Sequence, residues 1–248
     1  MRGFVARQGQ YVARLDAGER DVLAGIASDV GVMLGAVPFR RAARAATQAA
    51  ERAAQQALGQ TVEPTVEHGG TSSDTPAGAD GLPVSGWPWE QDIEPPEDPA
   101  VRRLLPDGSL DAEQAAEFRR LTEPDLRARK VEGLRTWWSA LRTPGGRSGD
   151  AVAVTAAEAP AVAAALTDIR LVLADRLGVV TDEDADRLYD ELALDPGDDH
   201  AAQVRHAFVG IYAVLSELQE TLVGAMLADA RARGTSHRRP GGGASASG

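Results

Sequence analysis

Apolar positions along this chain recur mostly at intervals of three and four, the spacing of one face of an α-helix. Leu23, Ile26, Val30 and Met33 mark one such face. Asp16 and Glu19 stand ahead of it at the spacing of a capping box, and Gly35 and Pro38 close it. Asp98-Pro99 predicts a short helix ending near Pro106. Asp111 opens another through Ala115, Phe118 and Leu121. Thr122, Glu123 and Pro124 then predict a new start, for a helix to about Arg142 with Leu126, Leu134, Trp138 and Leu141 buried. Val162, Leu166, Ile169, Leu173 and Leu177 form the clearest stripe, preceded by Thr155 and Glu158 at capping-box spacing and stopped by Gly178. Thr181 caps an acidic helix through Leu192. A last helix from about Asp198 carries Val204, Phe208, Ile211, Leu215, Leu218 and Leu222 in alternating steps of four and three. Its flanking positions lack the opposite charges of a coiled-coil seam, so a helix inside a bundle fits better.

The period changes in three places. Phe4–Arg7 and Tyr11–Arg14 repeat "VAR" on either side of Gln8-Gly9, which predicts a small β-hairpin packed on the helices. Residues 38–58 are Ala-rich with Arg40, Arg41, Arg44 and Arg52 and almost no large apolar residue, which predicts an exposed helix or a basic arm. Residues 59–97 read as a disordered acidic linker and 231–248 as a disordered tail, because neither can bury enough surface to offset the entropy of ordering. Trp87 and Trp89 stand out in the linker, either as a short partner-binding motif or as an anchor onto the parent domain. The expected architecture is a mainly α helical bundle, residues 1–37 with 98–230, bearing an N-terminal hairpin.

Composition narrows the function classes. Aromatics are only 4% of the chain, so the core is aliphatic. A net charge of -11 argues against autonomous, sequence-specific DNA binding and against anionic membranes. The absence of cysteine removes disulfides, thiolate nucleophiles and cysteine metal sites. Arg2, Arg7, Gln8, Gln10 and Arg14 break up the N-terminus, so no secretory signal is expected. No stretch is expected to reach the length of apolar chain that crosses a bilayer. A cytoplasmic protein without cofactors is the expectation.

Candidate chemistry is sparse. His200 and His206 lie six apart, on different faces of a helix, while His68 and His237 fall in the predicted linker and tail. Asp182, Asp184 and Asp186 imitate the start of a calcium loop. Arg187 and Ala193 occupy the positions that need Gly and Glu, and the helix dipole explains the acids. No phosphate-binding loop, dinucleotide fingerprint or nucleophile elbow occurs. The densest basic neighbourhood holds Arg119, Arg120, Arg127, Arg129, Lys130 and Arg135, interleaved with Glu117, Glu123, Asp125 and Glu132. It reads either as a solvated face of helical ion pairs or as a docking patch, for which Arg119, Arg120, Arg127 and Lys130 are the candidates together with Trp87 and Trp89. Lys130, the sole lysine, lies four residues from both Leu126 and Leu134 and must snorkel or meet a carboxylate.

Three stretches carry a resemblance: Asp98–Leu134 (DPAVRRLLPDGSLDAEQAAEFRRLTEPDLRARKVEGL), Leu166–Val179 (LTDIRLVLADRLGV) and Ile211–Leu227 (IYAVLSELQETLVGAML). With the hairpin and LDAGERDVL, they resemble an actinobacterial family associated with the actinomycete oxidative-stress regulator AosR. The resemblance implies a cytoplasmic regulator that senses oxidants through cysteine and acts with an alternative sigma factor on transcription. A chain without cysteine cannot sense in that way. It departs from the family also at Pro106–Asp111 and at Gly133, where a larger polar residue is expected. The expected function is a non-catalytic, transcription-associated regulator whose protein partner is a sigma factor or RNA polymerase. An adaptor in protein quality control and an enzyme with an unrecognised site are the alternatives.

Overall fold

The structure is a computed structural model and describes residues 1–59, 94–143, 145–146 and 149–237. Among them lie β1 (Arg2–Arg7), β2 (Gln10–Arg14), α1 (Ala17–Met33), α2 (Phe39–Gly59), α3 (Pro99–Leu104), α4 (Ala112–Arg142), β3 (Ala151–Thr155), α5 (Ala159–Leu177), α6 (Asp182–Leu192) and α7 (His200–His237). The expected mainly helical fold with an N-terminal hairpin is present. Most of the predicted linker, with Trp87 and Trp89, and the tail from 238 lie outside the described residues.

The hairpin turns on Gln8 (φ 49°) and Gly9 (φ 79°). Positive φ at both central residues is the geometry whose twist matches paired strands. A third strand, not expected from sequence, joins it: β3 pairs antiparallel with β2, giving the order β1-β2-β3. Phe4, Tyr11, Ala13, Val152 and Val154 face inward and are buried.

α1, α4, α5 and α7 form the bundle, with α1 on α4, α4 on α5 and α5 on α7. The stripe Val162, Leu166, Ile169, Leu173 and Leu177 is buried throughout. Each fully covered branched side chain contributes roughly 1.5–3 kcal/mol. Gly178 ends α5 in the left-handed conformation at φ 75°. Asp16 with Glu19 and Thr181 with Asp184 form complete capping boxes on α1 and α6. The sheet meets the bundle where Phe4 packs on Trp137, ring centroids 6.2 Å apart. The hairpin is also tied to the last helix: from β1, Phe4 N–H donates to Thr221 Oγ1 at 3.0 Å, and from β2, Tyr11 O–H donates to Asp229 at 3.1 Å.

Four expectations are corrected. Pro124 does not start a helix but lies inside α4, which runs unbroken from Ala112 to Arg142. Phe118 and Leu121, within the helix predicted from Asp111, are 53% and 62% exposed, while α4 buries Glu123, Leu134, Trp137 and Leu141. Trp137 rather than Trp138 is fully covered; Trp138 lies edge-on to Phe39 instead. Thr155 and Glu158 do bond reciprocally, but as the end of β3, and α5 begins only at Ala159. In α7 the buried residues are Val209, Tyr212, Leu215, Leu218 and Leu222, while Val204 and Phe208 are exposed, and the helix continues to His237.

α7 is also long and apolar enough, by length and composition alone, to span a bilayer, with 22% of the apolar window buried in the fold. Core helices that satisfy the same measure are mostly buried; α7 is less covered than that, although it packs on α5, α6 and β1.

Gly133 has a packing reason. A Cβ there would lie 3.0 Å from the Ala161 carbonyl oxygen, so the larger residue expected from the family would push α4 off α5.

Candidate functional site: the outer face of the sheet

Alternation along the strands leaves one face of the sheet outside the core. The cross-strand register sorts that face into three rows. Arg7, Gln10 and Thr155 form one end, Val5, Val12 and Ala153 the middle, and Arg2, Arg14 and Ala151 the other end. Arg2 reaches this face through an irregularity. Simple alternation from Val5 would turn Arg2 inward, but β1 has two residues between Arg2 and Val5 where β2 has only Ala13 between their partners. The extra residue is a bulge, which moves Arg2 opposite Arg14. The Phe4 amide is directed to Thr221 at the same place.

The result is an open cleft of about 590 Å³ with a small aliphatic floor and cations at both ends, to which Gly145 and Gly146 add a backbone wall. Gly145 bridges to Ala151 beyond the β3 edge. Val5 is half exposed. No acidic residue occurs in 2–14 or 151–155, although the chain as a whole has 37 acids against 26 basic residues. Arg14 is met by Asp150 at 2.9 Å. Among the described residues neither Arg2 nor Arg7 has a carboxylate within ion-pair distance. At Arg2 and Arg7, though not at Arg14, the surface can attract anions without first breaking an internal pair.

The basic neighbourhood singled out from sequence has a different character. Arg119 pairs with Asp107, Arg120 with Glu117 at 2.7 Å, Arg127 with Glu123 at 2.6 Å and Lys130 with Asp168 at 2.6 Å. The four do not form one open patch. Lys130 and Arg127 lie on the side of α4 turned to the interior, where Glu123 and Asp168 are only 4% and 3% exposed. Burial pushes the Asp168 carboxyl above its ordinary value, against the pull of the Lys130 ammonium. Glu123 Oε2 is buried without a hydrogen-bond partner among the described residues. The bond from Arg120 holds the Glu117 carboxyl below its ordinary value. Trp87 and Trp89, the remaining candidates, lie outside the described residues.

Two further features were not anticipated. Arg170 of α5 donates to Gln219 at 2.8 Å and to the Tyr212 hydroxyl at 3.3 Å, and lies over the Tyr212 ring at 5.1 Å, so it locks α5 to α7 through neutral partners. A smaller cleft of about 290 Å³ opens between the end of α5 and α6. Both arginines there are already paired, Arg187 with Asp184 and Arg205 with Glu191. The acids that imitate a calcium loop start α6, and Asp184 accepts from the Val180 and Thr181 amides, which lowers its pKa. Among the described residues no group of three or more His, Asp or Glu is placed to hold a metal.

Arg7 could have been found from sequence, because it shares the parity of Val5 in a recognisable hairpin. Arg2 could not, because the bulge reverses its parity, and the face has no width without β3.

Residues 1–226 match the model of a family described as Domain of unknown function (DUF2017). No curated protein and no solved structure matches the chain.

Proposed function

The chain belongs to the DUF2017 family, and from that premise we propose that it is a non-catalytic, transcription-associated regulator acting through protein–protein contacts. The resemblance of Asp98–Leu134, Leu166–Val179 and Ile211–Leu227 to the actinomycete oxidative-stress regulator AosR supports that role, with an alternative sigma factor or RNA polymerase as the partner and the cytoplasm as the compartment. The observation that carries the protein-contact part of the reading is the outer sheet face, where, among the described residues, Arg2 and Arg7 meet no carboxylate and the aliphatic floor is uncovered. Oxidant sensing through a thiol is chemically impossible in a chain without cysteine. A response to oxidants would therefore run through its partner or through methionine oxidation rather than through a thiol.

Affinity capture of the tagged full chain from its native cells, with and without oxidant, followed by mass spectrometry, tests the reading. Recovery of a sigma factor or polymerase subunits is expected. Recovery of only proteases, chaperones or metabolic enzymes would favour the adaptor or enzyme reading instead.

A further inference from the structure

The geometry points to a specific kind of occupant for the sheet face. We propose that it docks an extended, acidic segment of a protein partner, in which carboxylates about four residues apart flank an apolar side chain. This rests on reading the chain as a protein-binding regulator and adds the chemistry of the contact.

The spacing comes from the rows. Arg7 and the Arg2–Arg14 pair stand at opposite ends of the face, with Val5, Val12 and Ala153 between them. Gln10 and Arg14, four residues apart on β2, mark those two ends, so the rows are about 13 Å apart at the rise of a strand. An extended peptide places the side chains of residues i and i+4 on one face at the same separation, with residue i+2 between them. An acid at each end and an aliphatic residue in the middle therefore match the three rows. Guanidinium groups suit carboxylates because their paired N–H donors can meet both oxygens. Gln8 and Gln10, which also line the cleft, supply neutral hydrogen-bonding groups at the Arg7 end.

The same face fits a polynucleotide poorly. Single-stranded nucleic acid is held by stacking on aromatic rings, and the aromatics of these strands, Phe4 and Tyr11, point into the core at 4% and 2% exposure. A whole-chain charge of -11 repels a long polyanion, while a short acidic segment feels mainly the local arginines within a Debye length.

The test uses the full chain and a fluorescent peptide, Glu-Glu-Ser-Val-Ser-Glu-Glu, read by anisotropy at low and high salt. A peptide with lysine in place of glutamate and a labelled single-stranded DNA oligonucleotide are run beside it. The acidic peptide is expected to bind, more weakly as salt rises. Arg2→Gln with Arg7→Gln should weaken it about tenfold, since two partly exposed ion pairs are lost. Arg40→Gln with Arg44→Gln on α2, basic but away from the sheet, should leave it unchanged. Unaltered circular dichroism in both variants keeps folding out of the comparison. Equal binding by the Arg2/Arg7 variant, no binding of the acidic peptide, or tighter binding of the oligonucleotide through the same arginines would each overturn the proposal.

The two readings fail separately. If the peptide binds as expected but capture recovers no polymerase or sigma factor, the regulator reading falls and the surface stands. If the Arg2/Arg7 variant captures those partners as well as the native chain does, the surface falls and the regulator reading stands.

Discussion

α4 and the sheet both carry clustered arginines, yet α4 neutralises most of its own charge, whereas among the described residues the sheet leaves Arg2 and Arg7 open and only Arg14 is paired, with Asp150. On α4, residues three and four apart are neighbours, and the interleaved acids lie at those distances. Arg120 meets Glu117, Arg127 meets Glu123, and Arg135 meets Glu132. On a strand, neighbours on one face are two residues apart or lie across the ladder, and here those positions hold Val, Gln, Ala or another Arg. Charge density along a sequence therefore says little about open charge until the element is known. A helix with mixed charges tends to close on itself, whereas a strand free of acids cannot.

The largest expected break in this comparison is at Lys130. Lys130→Met leaves the buried Asp168 carboxylate without its partner and should destabilise the fold by about 3–5 kcal/mol, read by urea unfolding. Lys130→Met with Asp168→Leu should recover most of that loss, because an apolar pair of similar size replaces a desolvated ionic one. A double variant no more stable than the single one would show that the pair does more than satisfy its own charges.

Next comes the closeness of the α4–α5 seam. Gly133→Leu inserts a side chain where even a Cβ would lie 3.0 Å from the Ala161 carbonyl oxygen, and should cost about 1–3 kcal/mol in the same assay.

A smaller effect follows from the partly exposed pairs. The bond from Arg205 holds the Glu191 carboxyl below its ordinary value, and the bond from Arg176 does the same for Asp98. A carboxyl whose pKa is lower folded than unfolded adds stability above its unfolded value and loses it as pH falls through the folded one. The native chain should therefore lose thermal stability on acidification through and below the ordinary carboxylate range. Glu191→Gln should make that loss shallower, by under about 1 kcal/mol at neutral pH.

The smallest change is expected at the sheet. Arg7→Glu should alter unfolding free energy by no more than about 0.5 kcal/mol, because Arg7 is exposed and makes no internal ion pair among the described residues. A large loss there would mean that the outer face contributes to the fold.

The sequence revealed the parts of this molecule whose signals are local. Capping boxes at Asp16 and Thr181, the helix stop at Gly178 and the α5 stripe each depend on residues within a turn or two of one another. The hairpin was legible for the same reason. β3 was not, because Ala-Val-Ala-Val-Thr is short, has alanine where strands usually carry larger residues, and gains its place only by pairing with a segment more than a hundred residues away. Pro124 misled because proline marks helix starts more often than interiors. The choice between Trp137 and Trp138, and the phase of α7, depended on which neighbours arrived from elsewhere in the chain. The candidate site was half legible: the alternation of Val5 and Arg7 was visible, but the bulge and the third strand that give the face its shape were not.

The tie between the hairpin and the last helix has a consequence during synthesis. Phe4 and Thr221 are separated by 217 residues, and Tyr11 and Asp229 by 218. As the chain leaves the ribosome, β1 is made first, yet it waits for α7 before its bulged amide finds an acceptor, and β2 waits for β3 before the sheet is complete. Closing so long a loop costs entropy that only the late contacts repay. The arginines of the basic face are thus translated well before β3 and α7, the elements that give the face its shape. A nascent or prematurely terminated chain would carry the three arginines without presenting them, so partner binding would be reserved for molecules that had finished folding.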